Sequence, residues 1–206
     1  SLFKSYKKVD KFNQLDYKFL KKIYLKNKIE FMSTPFDNQA VDMLDKLGVK
    51  AFKIASCDIT NFPLLKKIKK KKKPIFLSTG ASNIREIESA YKYISKFNKK
   101  ICLMHCTMSY PTKPEDVNLL ALNEFKKKFK NIPLGLSDHS LGYKIAAASV
   151  LLGVRVIEKH FTYNKRLKKS ADHSISIDSF ELKKLRQSVD LFLKASGEEN
   201  KKVLKC

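Results

Sequence analysis

Short apolar runs alternate with amphipathic stretches along most of the chain. The strand-like runs are Ile29–Ser33, Ala51–Ala55, Pro74–Ser78, Ile101–Cys106, Pro133–Ser137 and Arg155–His160. Between them the apolar positions fall at helical spacing. Gln39–Leu47 carries Val41, Leu44 and Leu47 on one face and is closed by Gly48. Ile84–Phe97 places Ile84, Ile87, Tyr91 and Ile94 together, and Val117–Phe129 and Tyr143–Leu152 repeat the pattern, the latter ending at Gly153. Phe180–Ala195 is a final amphipathic helix closed near Gly197, and residues 10 to 26 read as a helix ahead of the first run.

Several of the runs are apolar on both faces, as parallel strands covered by helices are. Strand and helix in alternation imply a parallel sheet with right-handed crossovers. A doubly wound sheet and a TIM (β/α)8-type barrel share that rhythm, and the polar residues decide between them. They recur at the C-terminal end of nearly every run: Ser33-Thr34, Ser56, Ser78-Thr79, His105 to Thr107, Ser137 to His139 and Glu158 to His160. In a barrel that whole rim forms the active site, whereas an open sheet enriches only its switch-point loops. The expected fold class is therefore α/β, a (β/α)8-type barrel. Eight strands close such a barrel and six runs are read here, so the chain is expected to be truncated, with strands 3 to 8 present and the first two β/α units missing.

A length of 206 residues with 43% hydrophobic content supports a sizeable core. No apolar run reaches the ~18 residues of a membrane span, and Ser1-Leu2-Phe3-Lys4 leads straight into charged sequence rather than a signal peptide. Cys57, Cys102, Cys106 and Cys206 make no disulfide framework, so a reduced, cytoplasmic protein is expected. Cys102-Leu-Met-His-Cys106 has the look of a metal motif. In a strand, however, Cys102 and Cys106 share a face while His105 points the other way.

The net charge of +23 raises the question of nucleic acid. Lysine supplies nearly all of the positive charge, arginine is confined to Arg85, Arg155, Arg166 and Arg186, and no aromatics interleave with the lysines to stack bases. The run Lys69–Lys73 closes a helix before the strand at Pro74, where cations are favourable. The lysines read as a solvated surface, and no nucleic-acid or membrane partner is expected.

The candidate chemistry gathers at the strand ends. His139 and His160 end consecutive strands with a helix between them, so parallel pairing at a strand spacing of about 4.8 Å sets the two imidazoles on one rim, near enough to grip one ion. Two neutral imidazoles with oxygen donors nearby suit a divalent metal, and the ligands alone do not choose among manganese, iron, cobalt and zinc. Ser137 shares strand parity with His139, and Glu158 with His160. Lys53 lies between Phe52 and Ile54, which turn to the helices, so it points inward. There it meets either an anionic ligand or an internal partner such as Glu158. Thr34, Ser56, Ser78 and Thr79 add hydroxyls at the same rim, and together with Lys53 they point to a phosphate. Tyr110-Pro111 is a further rim position. Asp172-His173 falls in a polar loop that either contacts substrate hydroxyls or caps the helix beginning near Asp178.

These residues stand in motifs that resemble the sialic acid synthase family, the N-acetylneuraminate, legionaminate and pseudaminate synthases. The motifs are Ser33-Thr-Pro-Phe-Asp37, Lys53-Ile-Ala-Ser56, Thr60-Asn-Phe-Pro-Leu64, Leu77-Ser-Thr-Gly80, His105-Cys106 with Tyr110-Pro111, Gly135-Leu-Ser-Asp-His139 and Glu158-Lys-His-Phe-Thr162. The resemblance covers nearly the whole chain. It implies metal-dependent condensation of phosphoenolpyruvate with an N-acylated hexosamine such as N-acetylmannosamine, giving a nine-carbon 2-keto sugar acid and free phosphate. It assigns the metal to His139 and His160, with Mn2+ as the ion and Mg2+ or Co2+ as alternatives. It makes Glu158, Lys53 and Tyr110 catalytic, lines the phosphoenolpyruvate site with Thr34, Lys53, Ser56, Ser78, Tyr110 and Ser137, and turns Asp172 toward the sugar.

The chain departs from the family in three places. Lys165–Ala171 is more basic than usual and lacks the family's Gly-Pro, and Met108 stands where a polar residue is common. The acidic residue, lysine and glutamine that the family carries on its first two strands are not found. Residues 1–206 are thus expected to be one partial barrel domain, without the N-terminal two β/α units and the C-terminal antifreeze-like domain, and weakly active or inactive alone. The full-length protein is expected to be a homodimer. The competing readings are another phosphoenolpyruvate-condensing 3-deoxy keto acid synthase, a basic nucleic-acid-binding module and an inactive remnant.

Overall fold

The computed structural model describes residues 12–167, 170, 172–198, 200 and 203. The expectations for Ser1 to Lys4, for residues 10 and 11 of the first helix, for Cys206 and for Lys168, Lys169 and Ala171 of the basic loop fall outside the described residues. The order of elements is α1 (Gln14–Lys26), α2 (Asn38–Leu47), β1 (Phe52–Ile54), α3 (Phe62–Lys70), β2 (Ile75–Ser78), α4 (Ile84–Ser95), β3 (Ile101–Cys106), α5 (Pro114–Val117), α6 (Ala121–Lys128), β4 (Leu134–Asp138), α7 (Lys144–Ala148), β5 (Val154–Lys159), α8 (Asp172–Ile175) and α9 (Ser179–Ser196). Single 3-10 turns follow β1 and α7.

Local chemistry explains the helix starts. Asn13 with Asp16, Asn83 with Glu86 and Asp178 with Glu181 close reciprocal capping boxes at α1, α4 and α9. Asp37 and Asn61 cap α2 and α3. Gly48 takes the left-handed conformation that ends α2 (φ 77°).

Among the described residues five strands, all parallel, lie in the order β1-β2-β3-β4-β5. One side of the sheet packs Phe52, Ile54, Ile75, Leu77, Ile101, Leu103, Leu134 and Leu136 against helices contributing Leu65, Ile68, Ala90, Ile94 and Leu122, all buried. The opposite side carries Lys53, Ser78, Cys102, Met104, Cys106, Gly135, Ser137 and Glu158. Register aligns Cys106 with Ser137 and Ser137 with Glu158 in one row at the C-terminal rim. A Cβ on Gly135 would come within 2.8 Å of Met104 Cγ, so glycine lets Met104 fill the layer below that row.

The sheet curls. Flat pairing would set β1 and β5 about 19 Å apart, four strand spacings, farther than a lysine and a glutamate side chain can span. Yet Lys53 Nζ on β1 lies 3.3 Å from Glu158 Oε2 on β5. The edge strands face each other across the concave side, as neighbouring walls of a barrel do.

Three expectations change. Ile29–Ser33 is not a strand: Phe31 is buried in the core, but no ladder bond joins the segment to β1 among the described residues. Its apolar pattern reports burial, and a strand also needs a pairing edge. The helix expected over Val117–Phe129 is broken into α5 and α6, because Asn118 adopts a left-handed conformation (φ 47°, ψ 56°) that asparagine tolerates. The lysine run is not simply solvated. Lys69 is buried with Nζ 3.4 Å from the Tyr93 ring centroid and donating to the Tyr93 carbonyl, while Lys71 and Lys73 pair with Asp42 and Asp45 of α2.

Candidate functional site

The concave rim encloses a cavity of about 440 Å3 lined by Thr34, Lys53, Ser56, Ser78, Tyr110, Ser137, His139, Glu158 and His160. Strand ends supply most of these groups: β1 gives Lys53, β2 gives Ser78, and β4 and β5 give Ser137 and Glu158, with His139 and His160 one step past their strands. Phe36, Cys57, Cys106, Met108, Asp138 and Lys159 share the wall.

His139 and His160 lie side by side, their ring centroids 5.3 Å apart and their planes inclined by 52°. The register pair Asp138 and Lys159 immediately precedes them, so the two histidines are neighbours by construction. His139 Nδ1 is 3.0 Å from the Thr107 carbonyl, which can only accept. Nδ1 therefore carries the proton in the neutral ring and Nε2 keeps its lone pair, the arrangement of a metal-ligating histidine. Burial holds His160 below the ordinary imidazole value, against the pull of Asp172 and Glu158 toward the charged form and with the push of His139 and Lys159 away from it. Both features suit two neutral imidazoles. No cluster of three or more His, Cys, Asp or Glu side chains fit for a metal occurs among the described residues. An ion held by this pair would complete its shell with solvent or substrate oxygens, a set that hard and borderline divalent ions accept.

Lys53 is 8% exposed, and Glu158 is its carboxylate partner at 3.3 Å. Both alternatives raised by the sequence meet at this point: the lysine has an internal partner and also faces the cavity. The Ser78 hydroxyl is fully buried, lines the cavity and has no hydrogen-bond partner among the described residues. An orphaned hydroxyl sharing a cavity with a buried ammonium is a ready donor to an anionic oxygen. Ser56 Oγ accepts from the Gly80 amide at 2.9 Å, which holds the turn after β2 against the 3-10 turn after β1. Tyr110 lies tilted over His139, with centroids 4.1 Å apart and planes inclined by 42°, and also meets His160 edge-on at 6.0 Å.

Thr79 and Asp172 do not line the cavity. Thr79 Oγ1 donates to the Met104 carbonyl at 2.9 Å and is spent on backbone. Asp172 begins the short helix α8, where a loop was expected, and its carbonyl accepts from Ser176. It is absent from the cavity lining, although its charge is felt at His160. The helix cap near there is Asp178. His105 turns away from the cavity, its Nε2 2.7 Å from the Val117 carbonyl and its ring against Phe125, as strand alternation predicts.

The residues missed by sequence reasoning are Asp138 and Lys159. Their side chains form a buried ion pair at 2.7 Å, 1% and 4% exposed. Both stand inside motifs noted above, but each alone looks like an outward, solvated charge, and only the register shows that they face each other.

The NeuB family model matches residues 1–201. The chain belongs to the NeuB family. The N,N'-diacetyllegionaminic acid synthase of Campylobacter jejuni is 46% identical over 93% of this chain and 59% of its own length. The human N-acetylneuraminate-9-phosphate synthase is 40% identical over 86% of this chain and 49% of its own. The chain thus spans about half the length of the curated relatives it matches. Among solved structures, the N-acetylneuraminic acid synthetase of Leptospira borgpetersenii superposes with a TM-score of 0.89 at 36% identity, covering 94% of this chain and 67% of that one. A truncated 3-deoxy-D-arabino-heptulosonate 7-phosphate synthase from Thermotoga maritima superposes with a TM-score of 0.78 at 20% identity, covering 90% and 73%, which at that identity is a shared fold alone. In this NeuB-family chain no described helix is long and apolar enough to cross a membrane.

Proposed function

We propose that this chain forms part of a synthase that condenses phosphoenolpyruvate with an N-acylated hexosamine, giving a sialic-acid-type 2-keto sugar acid and free phosphate. One observation carries the reading. A cavity that belongs to a sialic-acid-synthase-like fold joins an anion-seeking half, Lys53 with the Ser78 hydroxyl that has no partner among the described residues, to a half built on two adjacent imidazoles, His139 and His160.

Lys53, Ser78 and Ser137 bind the carboxylate and phosphate oxygens of phosphoenolpyruvate, and Ser56 and Thr34 shape the floor and mouth of that pocket. His139 and His160 hold a divalent ion, Mn2+ by preference. When bound, it supplies Lewis acidity to the sugar aldehyde. The nucleophile is C3 of phosphoenolpyruvate: its electron pair forms the new C–C bond at the aldehyde carbon, whose oxygen takes up a proton. Water then adds at C2, and cleavage of the C2–O bond releases phosphate and leaves the ketone. Glu158, held by Lys53, is the carboxylate within reach of the reacting centre, suited to take the proton from that water. Tyr110 covers the two imidazoles and closes the sugar side.

The free thiols of Cys57, Cys102 and Cys106, with burial pushing Cys102 up to about 12, suit a reducing, cytoplasmic setting, and a homodimer is the expected assembly of the full-length protein. The decisive assay supplies phosphoenolpyruvate, Mn2+ and a panel of N-acylated hexosamines and follows phosphate release and the keto acid. Formation of a nine-carbon keto acid by the complete protein supports the reading. Turnover with phosphorylated aldoses instead would favour a 3-deoxy keto acid synthase, and no turnover by the complete protein with either would overturn both.

A further inference from the structure

The ion pair between Lys159 and Asp138 is almost fully buried and shares the cavity wall with both imidazoles. A buried pair of this kind gains little net stability, because desolvation offsets the attraction. Its value must lie elsewhere, and its surroundings indicate where. Asp138 and Lys159 are register partners on β4 and β5, and each is followed directly by a histidine of the candidate metal pair. Asp138 also accepts from the Ser140 amide and hydroxyl at 3.0 Å each, while Lys159 donates to the Ser140 carbonyl. Residues 138 and 140 are thus pinned on both sides of His139, and one of the pins comes from the strand that carries His160. From outside, the His139 carbonyl accepts from the Thr112 amide at 3.0 Å and the His160 carbonyl accepts from the Ile177 amide at 2.9 Å.

We infer that Asp138 and Lys159 are positioning residues that fix the spacing and orientation of His139 and His160 by locking the last rung of the β4–β5 ladder and the turn at Ser140. The inference rests on the metal-dependent reading above. Without this lock, the bonds from Thr112 and Ile177 would hold each loop separately but not the spacing between the two strand ends, and a two-histidine site has no third protein ligand to restore their geometry.

The test titrates Mn2+ into the full chain by calorimetry and melts the metal-free protein, for wild type, Asp138→Asn, Lys159→Met and the double variant. Each single variant leaves a buried charge unpaired and is destabilised for that reason alone. The double variant leaves none, and it separates positioning from folding. The expected result is a double variant that melts close to wild type yet binds Mn2+ about tenfold more weakly, the usual scale for a group that orients a ligand. Wild-type Mn2+ affinity in the double variant would overturn the positioning role while leaving the metal-dependent reading intact. A double variant that does not fold would show the pair to serve the fold and would also overturn it. A wild-type chain that takes up no Mn2+ would overturn both readings.

Discussion

Lys53 couples binding to stability within one side chain. It is buried against Glu158, whose side chain is 43% exposed but whose Oε2, the oxygen facing the ammonium, is itself buried with no hydrogen-bond partner among the described residues, so removing the ammonium strands that oxygen. Lys53→Met should therefore melt below wild type, and adding Glu158→Gln, which leaves no unpaired charge, should recover part of the loss. The same change should lower kcat/KM for phosphoenolpyruvate by about tenfold to a hundredfold, the worth of one charge-assisted hydrogen bond. Steady-state rates and a thermal melt together check both halves. Gly80 gives a steric counterpart: a Cβ there would lie 2.7 Å from Met108 Cγ and 2.9 Å from Ser56 Oγ. Gly80→Ala should cost about 1–3 kcal/mol of stability and displace the Ser56 wall. Adding Met108→Ala should recover part of the loss, because Met108 is the flexible neighbour. Strand parity made Lys53, His139 and His160 legible in advance, because alternation is a local rule. The Asp138–Lys159 pair was not legible, because two outward charges on different strands become partners only once register is known.

Helices α2 and α3 are tied by charge as well as by apolar contact. Lys67 and Lys71 reach Asp42 at 2.6 and 3.0 Å, and Lys71 and Lys73 reach Asp45 at 2.9 and 2.7 Å. These ammonium groups hold both carboxyls below the ordinary carboxylate range. A depressed carboxyl favours the folded state when ionised, so its contribution is complete above the unfolded value near pH 4 and fades as pH falls through the folded one. Asp45→Asn should lower the melting temperature by about 2–4 °C at pH 7, as a loss near 1 kcal/mol does in a domain of this size. The difference should shrink below about pH 4 and in molar salt. A gap that persists at pH 2 would mean that Asp45 acts through packing instead. This network was not legible in advance, since nothing in the lysine run marks which acids it would meet. The helix boundaries were legible where capping boxes mark them, at Asn83 and Asp178. They failed at Asn118, where a single left-handed residue outweighs an unbroken apolar period.

At the scale of the molecule the sheet has two edges, β1 and β5, and large apolar side chains remain on the outer helices: Leu15 and Phe19 on α1, Phe180 and Leu191 on α9, each more than 60% exposed. Periodicity located the strands, all but the segment at Ile29–Ser33, because each strand's own residues record burial; which strands pair at the edges is not written in any one of them. Open edges and apolar faces favour association, and the net charge of +23 opposes it. Ionic strength decides between them. The screening length is about 30 Å at 0.01 M salt, comparable to the molecule, and about 3 Å at 1 M. Charge repulsion therefore acts across the whole surface in dilute buffer and is nearly gone in concentrated salt, whereas apolar burial is retained. The 206-residue chain should sediment as a monomer at 0.01 M salt and associate progressively as salt rises toward 1 M. Sedimentation velocity over that range checks it. A chain that stays monomeric throughout would show that the apolar helix faces are too dispersed to act as a contact. Association that weakens with salt would mean that charge complementarity, not apolar burial, holds the copies together.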